Sequence, residues 1–392
     1  MPQLTAYFPE FQEMYFHKDA FLLPYYLSKS LNFTCHYYYG QNVGNNPLPI
    51  EYRGVKLHNY NHRHMNTGLM LYDMFRCVIL NARKTECVFF IHISWLIMLI
   101  ALIYKCINSK GKVVVMGDME ADLAKRLASK NFVFSKGIPG YIKRFLVKQF
   151  FKNQIVTIAN IGALHALQKM YRQHGWTNLV HVYPALDNEL FESIGLKYRK
   201  YEEKENIFLY VGRIGNYQKN TDMILEALTK IDLKDWKFYL IGPLTDGFDT
   251  RKKNNYDKRI QELFKQRPDL KNKVIFTGAI SNPKTLFEYY LRTKVFVLSS
   301  RHEGFANVLS EAAALGCFIV STDVGGASTV SNNWEFGKKI KQESPDDLAD
   351  ILQSIVNKEI KIDTSKAINP EHLTWPYMVN RITDIINKTS DK

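Results

Sequence analysis

Short apolar runs rich in β-branched residues recur along this chain, each separated from the next by a stretch with helical character. In the first half they are Phe33–Tyr39, Val55–His58, Cys87–Ile93, Lys112–Met116, Ile155–Ile158 and Leu179–Val182. In the second they are Ile207–Gly212, Lys237–Gly242, Val274–Gly278, Val295–Leu298 and Phe318–Ser321. Strands that alternate with helices imply a parallel sheet covered on both faces, because a parallel pair needs a crossover. The rhythm stops once, at 193–206, where Lys, Arg, Glu and Tyr dominate without periodicity, and then restarts. That break reads as a linker. The expectation is α/β, with two Rossmann-like doubly wound domains facing a cleft. The first spans 1–195, the second 196–370, and an amphipathic C-terminal helix over 371–392 packs back on the first. With 392 residues, each domain is long enough for its own core.

Composition narrows the class. Five scattered cysteines show neither metal-ligand spacing nor a disulfide framework, and read as reduced core residues of a cytoplasmic protein. No basic region followed by an apolar h-region opens the chain, so no signal peptide is expected. The longest apolar run, Trp95 to Tyr104, is too short to span a bilayer and reads as a buried helix. The net charge is +14. Between Asp122 and Asp187 there is no acidic residue, while ten Lys and Arg occur. Within that field, 139–152 patterns as a basic amphipathic helix, with Ile142, Phe145, Leu146 and Phe150 on one side and Lys143, Arg144, Lys148 and Lys152 off it. Such a helix suits an anionic membrane surface, or else it is an ordinary domain helix with a solvated basic side. No zinc-finger, RNP, KH or helix-turn-helix pattern accompanies the charge, so no nucleic acid is expected as partner.

Two stretches carry chemistry. In the first, the strand Val295–Leu298 runs into Ser299-Ser300-Arg301-His302-Glu303-Gly304-Phe305-Ala306 and then a helix-forming segment, with Asn307 as the expected N-cap. A helix N-terminus suits phosphate. Glu303 and Glu311, eight positions apart, can accept hydrogen bonds from hydroxyl groups. In the second, Tyr210-Val211-Gly212-Arg213 leads through a turn to Lys219-Asn220. Two permanent cations at a strand's carboxyl end suit a pyrophosphate. Each stretch alone could be a solvated loop; in this order and spacing they point together to a nucleotide-sugar.

With these residues in place, the second half resembles the donor-binding domain of retaining GT-B glycosyltransferases of family 4, of the bacterial surface-polysaccharide type. The pattern is matched by Gly212-Arg213, Lys219-Asn220, Glu303-Gly304-Phe305 with Glu311, and the Gly325-Gly326 turn. The resemblance implies that Arg213 and Lys219 bind the donor diphosphate and that Glu303 holds hydroxyls of the transferred sugar. By the same resemblance Glu311 binds the ribose, and the backbone of Gly304, Phe305, Ala306, Asn307 and Val308 faces the diphosphate, with Gly212 and Gly278 on the donor side. On the first half it implies a histidine near the donor sugar, matched by His92, which is otherwise a core or capping residue. Asp118 binds acceptor or caps the following helix. Lys18 lies where the family has a Gly-Gly turn that this chain lacks. The implied activity is retaining transfer of a sugar, from a UDP-sugar in preference to a GDP-sugar, to a lipid-linked, lipopolysaccharide or capsule glycan. It implies no cofactor and no metal, and a peripheral place on the inner face of the cell membrane. The competing reading is a non-catalytic GT-B subunit that binds acceptor or stabilises a partner transferase.

Overall fold

The computed structural model describes residues 1–44, 46–60, 67–117, 119, 121–129, 138–245 and 256–390. Asp118 lies outside them. The chain divides into two compact units, residues 1–184 with 375–392, and residues 185–374.

Among the described residues the first unit is built on eight strands: β1 (Gln3–Phe11), β2 (Thr34–Asn42), β3 (Glu51–Tyr52), β4 (Val55–Asn59), β5 (Cys87–Ile91), β6 (Lys112–Met116), β7 (Ile155–Ile158) and β8 (Leu179–His181). Their spatial order is β3-β4-β2-β1-β5-β6-β7-β8, parallel throughout except the β3–β4 pair. Strand β1 lies between β2 and β5, so the loops after β1 and β5 leave in opposite directions at a topological switch point. All five residues of β5 are buried, as a strand covered on both faces requires.

Two helices depart from expectation. Trp95–Ile107 is one-sided rather than buried: Ile97, Met98, Ile100, Ala101 and Tyr104 enter the core, while Trp95 and Leu99 stand in solvent. On Ile138–Asn153, Val147, Phe150 and Phe151 are buried, whereas Tyr141, Ile142 and Phe145 are exposed. The apolar residues of that helix therefore fall on two faces, because its C-terminal half alone packs on the sheet. Lys143 lies 5.8 Å from the Trp95 ring and ties the two exposed faces together.

The helix Trp375–Ser390 packs on the helix Asp19–Ser30, burying Met378, Val379, Ile382 and Ile386. The Ser30 hydroxyl lies 3.0 Å from that of Thr383. Arg381 on this helix also bears on His181, whose ring Nε2 is buried without a hydrogen-bond partner. Burial first, then Arg381, pushes the His181 pKa down to about 4. A folded-state pKa below the unfolded value of about 6.5 means that the unfolded chain binds the extra proton first. The stability held above pH 6.5 should fall as the pH drops towards 4, by a few kcal/mol at most. Urea titrations at pH 7 and 4.5 test this: His181→Phe should flatten the acid limb, and an unchanged limb would remove His181 as its cause.

The second unit carries β9 (Glu205–Val211), β10 (Lys237–Ile241), β11 (Val274–Gly278), β12 (Thr293–Leu298), β13 (Phe318–Thr322) and β14 (Gly337–Ile340). Their order is β11-β10-β9-β12-β13-β14, all parallel. The segment read as a linker is structured within this unit. Tyr198 packs against Phe191, Tyr201 packs against Phe336, and Lys204 is buried. Here the switch point lies between β9 and β12, and the loops that follow those strands are the two stretches singled out above.

Candidate active site

Strand β9 ends at Val211, and its loop carries Arg213, Gln218 and Lys219 before the helix Thr221–Leu228. Strand β12 ends at Leu298, and its loop carries Ser300 and Glu303 before the helix Asn307–Ala314. Because β9 and β12 are hydrogen-bonded neighbours, residues 84 apart in the chain come into contact. Lys219 Nζ lies 2.5 Å from Glu303 Oε1, with the two side chains only 15% and 8% exposed. Ser300 donates its hydroxyl to the same oxygen at 2.8 Å, and Gln218 Nε2 donates to Oε2 at 3.2 Å. An ionised carboxylate offers about four lone-pair sites. Three donors therefore leave Glu303 room for a ligand hydroxyl.

Gln218 is the hinge of this network. Its Nε2 also donates to the His302 carbonyl at 3.0 Å, and its Oε1 accepts from Arg213 NH2 at 3.1 Å. Arg213 is thus joined to the Lys219–Glu303 pair through one amide. Tyr210, fully buried in β9, donates to the Arg213 carbonyl at 3.0 Å and fixes the start of the loop. Arg301 fastens the two loops from outside. Its guanidinium forks onto Glu343 at 2.6 and 2.9 Å, donates to the Tyr217 carbonyl at 2.5 Å, and stacks 4.2 Å from the Tyr217 ring.

The expected cap is displaced by one residue. Ala306 is the N-cap of the second helix and makes no side-chain cap bond, while Asn307 is the first helical residue. An Asn at the cap would turn its own carbonyl onto the first-turn N–H groups; an Ala leaves them to a ligand. Gly325 and Gly326 make room beside this turn. Both adopt left-handed backbone, with φ of 55° and 82°. A Cβ on Gly325 would lie 2.4 Å from Glu303 Cβ, and one on Gly326 would lie 2.1 Å from the Phe305 ring. The Ala306 N–H donates to the Gly325 carbonyl at 3.1 Å, which closes the turn. Gly304 is exposed at its tip, and Val308 lies in the first helical turn.

Glu311, one turn further on, accepts from the Tyr290 hydroxyl at 3.0 Å. Loss of hydration pushes its carboxyl pKa up, opposed by that hydrogen bond. Below this pair, Lys204 is buried, and its Nζ donates to the carbonyls of Tyr290, Leu291 and Leu315 at 3.0, 3.0 and 2.8 Å. All three ammonium protons are spent on the ends of the two helices that carry Tyr290 and Glu311. Gly212 and Gly278 sit at the ends of their strands, each joined to the β10 end: Gly212 N–H donates to the Ile241 carbonyl, and Gly242 N–H to the Gly278 carbonyl, both at 2.9 Å.

The first unit holds the other two described candidates. His92 directly follows β5, is exposed, and takes left-handed backbone at φ 70°. A non-glycine residue held there is strained, and such strain clusters at functional sites. Its ring lies 5.9 Å from that of Phe8 on β1. Lys18 caps the helix Asp19–Ser30 without a side-chain cap bond, with its ammonium 5.1 Å from the Tyr15 ring. The carboxylate of Asp19 stands beside it in the first turn, where it suits the helix dipole. His92 and Lys18 thus flank the switch point of their own sheet.

Pattern alone did not assign roles to Gln218, Ser300, Tyr290, Arg301 or Lys204. Gln218 and Ser300 lie inside the quoted motifs, and their adjacency to Lys219 and Glu303 was the available signal. Tyr290 and Lys204 come from other elements and carry no motif.

Comparison with known proteins gives the arrangement a family. Residues 197–370 match the family described as Glycosyl transferases group 1. Over 180 residues, 45% of this chain and 44% of the relative, the chain is 28% identical to the Campylobacter jejuni N-acetylgalactosamine-N,N'-diacetylbacillosaminyl-diphospho-undecaprenol 4-alpha-N-acetylgalactosaminyltransferase. The matches span less than half the length of the curated relatives. Among solved structures, the lipopolysaccharide outer core galactosyltransferase WaaB superposes over 99% of this chain and 100% of its own, with TM-score 0.66 and 16% identity. Anabaena Alr3699/HepE, solved in complex with UDP-glucose, does so over 99% and 100%, with TM-score 0.61 and 12% identity. Residues 197–370 thus match the glycosyl transferases group 1 family, and the two-sheet fold around them is that of the GT-B enzymes.

Proposed function

We propose that the protein is a retaining glycosyltransferase that moves a sugar from a nucleotide-sugar to a lipid-linked, lipopolysaccharide or capsule glycan acceptor. The observation that carries this reading is the Lys219–Glu303 pair at the switch point of the second sheet, with Arg213 joined to it through Gln218. In the reaction, the acceptor oxygen bonds to the anomeric carbon as the bond from that carbon to the diphosphate oxygen breaks. The electron pair stays on the diphosphate, and the acceptor proton leaves to it or to water. Negative charge therefore grows on the leaving group, where fixed cations and helix N–H dipoles stabilise it. Arg213, Lys219 and the first turn after Ala306 supply both. With that charge provided by the chain, the proposal requires no metal and no cofactor. Glu303 orients sugar hydroxyls, and Glu311 with Tyr290 holds the ribose. Retention of anomeric configuration follows the family resemblance. UDP is favoured by analogy with the Anabaena protein, whose structure holds UDP-glucose.

The acceptor class is supported by the Campylobacter relative, whose name specifies a diphospho-undecaprenol substrate. No helix among the described residues is long and apolar enough to cross a membrane. We place the protein at the cytoplasmic membrane surface, docked through the exposed Tyr141, Ile142 and Phe145 beside Lys143, Arg144 and Lys148. Each cation near an anionic leaflet adds about 1 kcal/mol.

One experiment with two arms tests this. Nucleotide release would be followed from a panel of UDP- and GDP-sugars with bacterial membranes as acceptor, alongside sedimentation with phosphatidylglycerol vesicles. The expected result is release from one UDP-sugar, abolished by Lys219→Ala, and vesicle binding lost in Ile142→Asp/Phe145→Asp. Silence across the panel, with no UDP or GDP binding by calorimetry, would favour the non-catalytic subunit. Undiminished vesicle binding in the double variant would sink the docking face.

A further inference from the structure

Three helices of the first unit, Ala121–Ala128, Ile138–Asn153 and Ile161–His174, border a cavity of about 420 Å³. Small-molecule pockets have volumes of about 300–1,000 Å³ and mostly apolar walls with a few polar groups. The floor of this one is core: Leu127, Val147, Phe151 and Met170 line it and are buried. Its rim is different. Tyr141 and Phe145 line the cavity as well, yet both stand in solvent. The apolar floor therefore opens among the exposed apolar residues of the helix Ile138–Asn153. Arg144 and Lys148 share this rim, the first half-buried and the second exposed. Four residues apart on one helix, they are surface neighbours.

The charge of the lining has one sign. No Asp or Glu contributes to it, and no acidic residue occurs between Asp122 and Asp187. The helices that carry Arg144, Lys148 and Met170 thus hold no carboxylate of their own. Neither Arg144 nor Lys148 has an ion pair among the described residues. An ordinary reason for cations here is that two helices, Ala121–Ala128 and Ile161–His174, end at the cavity. Each C-terminus carries about half a negative charge, so together they offset one cation. His174 already serves the second of these ends, with its Nδ1 3.2 Å from the Met170 carbonyl. One cation is left for a ligand. A soluble anion would leave the apolar floor uncovered, and a neutral apolar molecule would leave the cations unmatched. The complement of both is an amphiphile with a hydrocarbon tail and an anionic head.

We infer that this cavity takes one acyl chain of an anionic phospholipid, with the tail against Leu127, Val147, Phe151 and Met170 and the head-group phosphate at Arg144 and Lys148. Leaving water favours the tail, and phosphate suits both the planar fork of an arginine and the point charge of a lysine. The inference rests on the proposed docking of this face on a membrane and goes further. Exposed side chains hold the protein to a bilayer, whereas the cavity draws a single chain out of it. The site is confined to the first unit and uses no residue of the donor site.

Its test separates a single lipid from a surface, on the full chain. Calorimetry with dihexanoyl phosphatidylglycerol below its micellar concentration offers the lipid alone, and sedimentation with phosphatidylglycerol vesicles offers the bilayer. The wild type should bind both. Ala128 is half-buried and lines the cavity, so Ala128→Phe should fill it, abolish monomer binding and leave vesicle docking in place. Ile142 is exposed and is not part of the lining, so Ile142→Asp should weaken vesicle docking and spare monomer binding. Arg144→Gln/Lys148→Gln should erase a preference of about tenfold or more for the phosphatidylglycerol over the phosphatidylcholine of equal chain length. That ratio is measured within one protein, which misfolding does not imitate. Vesicle binding without monomer binding in the wild type overturns the cavity and leaves the docking face standing. Monomer binding that ignores Ala128→Phe, or that shows no preference for the anionic head, overturns it too. Binding of neither form by the wild type removes cavity and docking face together.

Discussion

Glu303→Ala is expected to lower kcat by about 10²–10³-fold, the range found when one preorganised electrostatic group is removed from a site. Three donors converge on this carboxylate, so its loss does more than delete one contact. Lys219 is left with its side chain 15% exposed and without the partner that holds it. Stranding a largely buried charge costs about 3 kcal/mol, and the side chain can escape part of that cost by swinging towards water. Either way it leaves the position from which, in the proposed reaction, it would meet the diphosphate. Gln218 loses one of its two acceptors as well, which loosens its hold on Arg213. The expected signature is therefore a fall in kcat together with weaker nucleotide binding. Ser300→Ala, which removes one donor only, should cost much less, about tenfold. Equal losses from the two substitutions would mean that Glu303 acts through loop structure rather than on the substrate.

Gly325→Ala should be nearly as damaging although it adds a single methyl group. That group would stand 2.4 Å from Glu303 Cβ, closer than two carbon atoms tolerate. The left-handed backbone adds about 1–2 kcal/mol of its own, and forced repacking about 1–3. A stability loss of about 3 kcal/mol is expected by urea denaturation. Displacement of Glu303 by about 1 Å should lower kcat/KM by about 10²-fold. Gly195→Ala is the control. It has the same backbone sign, φ 72°, with nothing within 4 Å of the added carbon, so it carries the strain without the collision. If the two variants lose equal stability and both keep full activity, the close approach at Gly325 has no bearing on the site.

Much of the second unit is legible in the sequence because its strands are continuous apolar runs and its motifs sit at strand ends. The helix Thr221–Leu228 and the strands β9, β10, β11, β12 and β13 fall within one or two residues of expectation. Strand β1 was not resolved from pattern, for an identifiable reason. It is buried on both faces, so it lacks alternation, and Pro9 interrupts it. That proline falls between the Phe8–Tyr39 and Glu10–Gln41 pairs, beyond the last contact with β5 at Tyr7, where a missing N–H is tolerated. Strand β14 reads Gly-Lys-Lys-Ile and is an edge strand, whose polar residues hide it from a search for apolar runs. At the site, the Lys219–Glu303 contact was implied only by motif order; its cause is the pairing of β9 with β12, a tertiary fact. The Tyr290–Glu311 bond was out of reach, since each helix offers the residue to solvent, core or partner with equal ease. The basic helix was legible as amphipathic but not as split, because periodicity cannot say where along a helix the sheet ends.

The way the helix Trp375–Ser390 packs has a consequence for synthesis. The first unit is discontinuous in the chain: residues 185–374 are emitted in full before the helix that seals the Asp19–Ser30 face is made. Until then, the apolar surface that will meet Met378, Val379, Ile382 and Ile386 stays uncovered. The second unit suffers no such delay, since its own ends are stitched by the Leu186 N–H bonded to the Leu373 carbonyl at 2.8 Å. On the ribosome, at about 5–20 residues per second, the inserted unit therefore completes first and the leading one last. A nascent chain released early would carry a finished second unit and an unsealed first one.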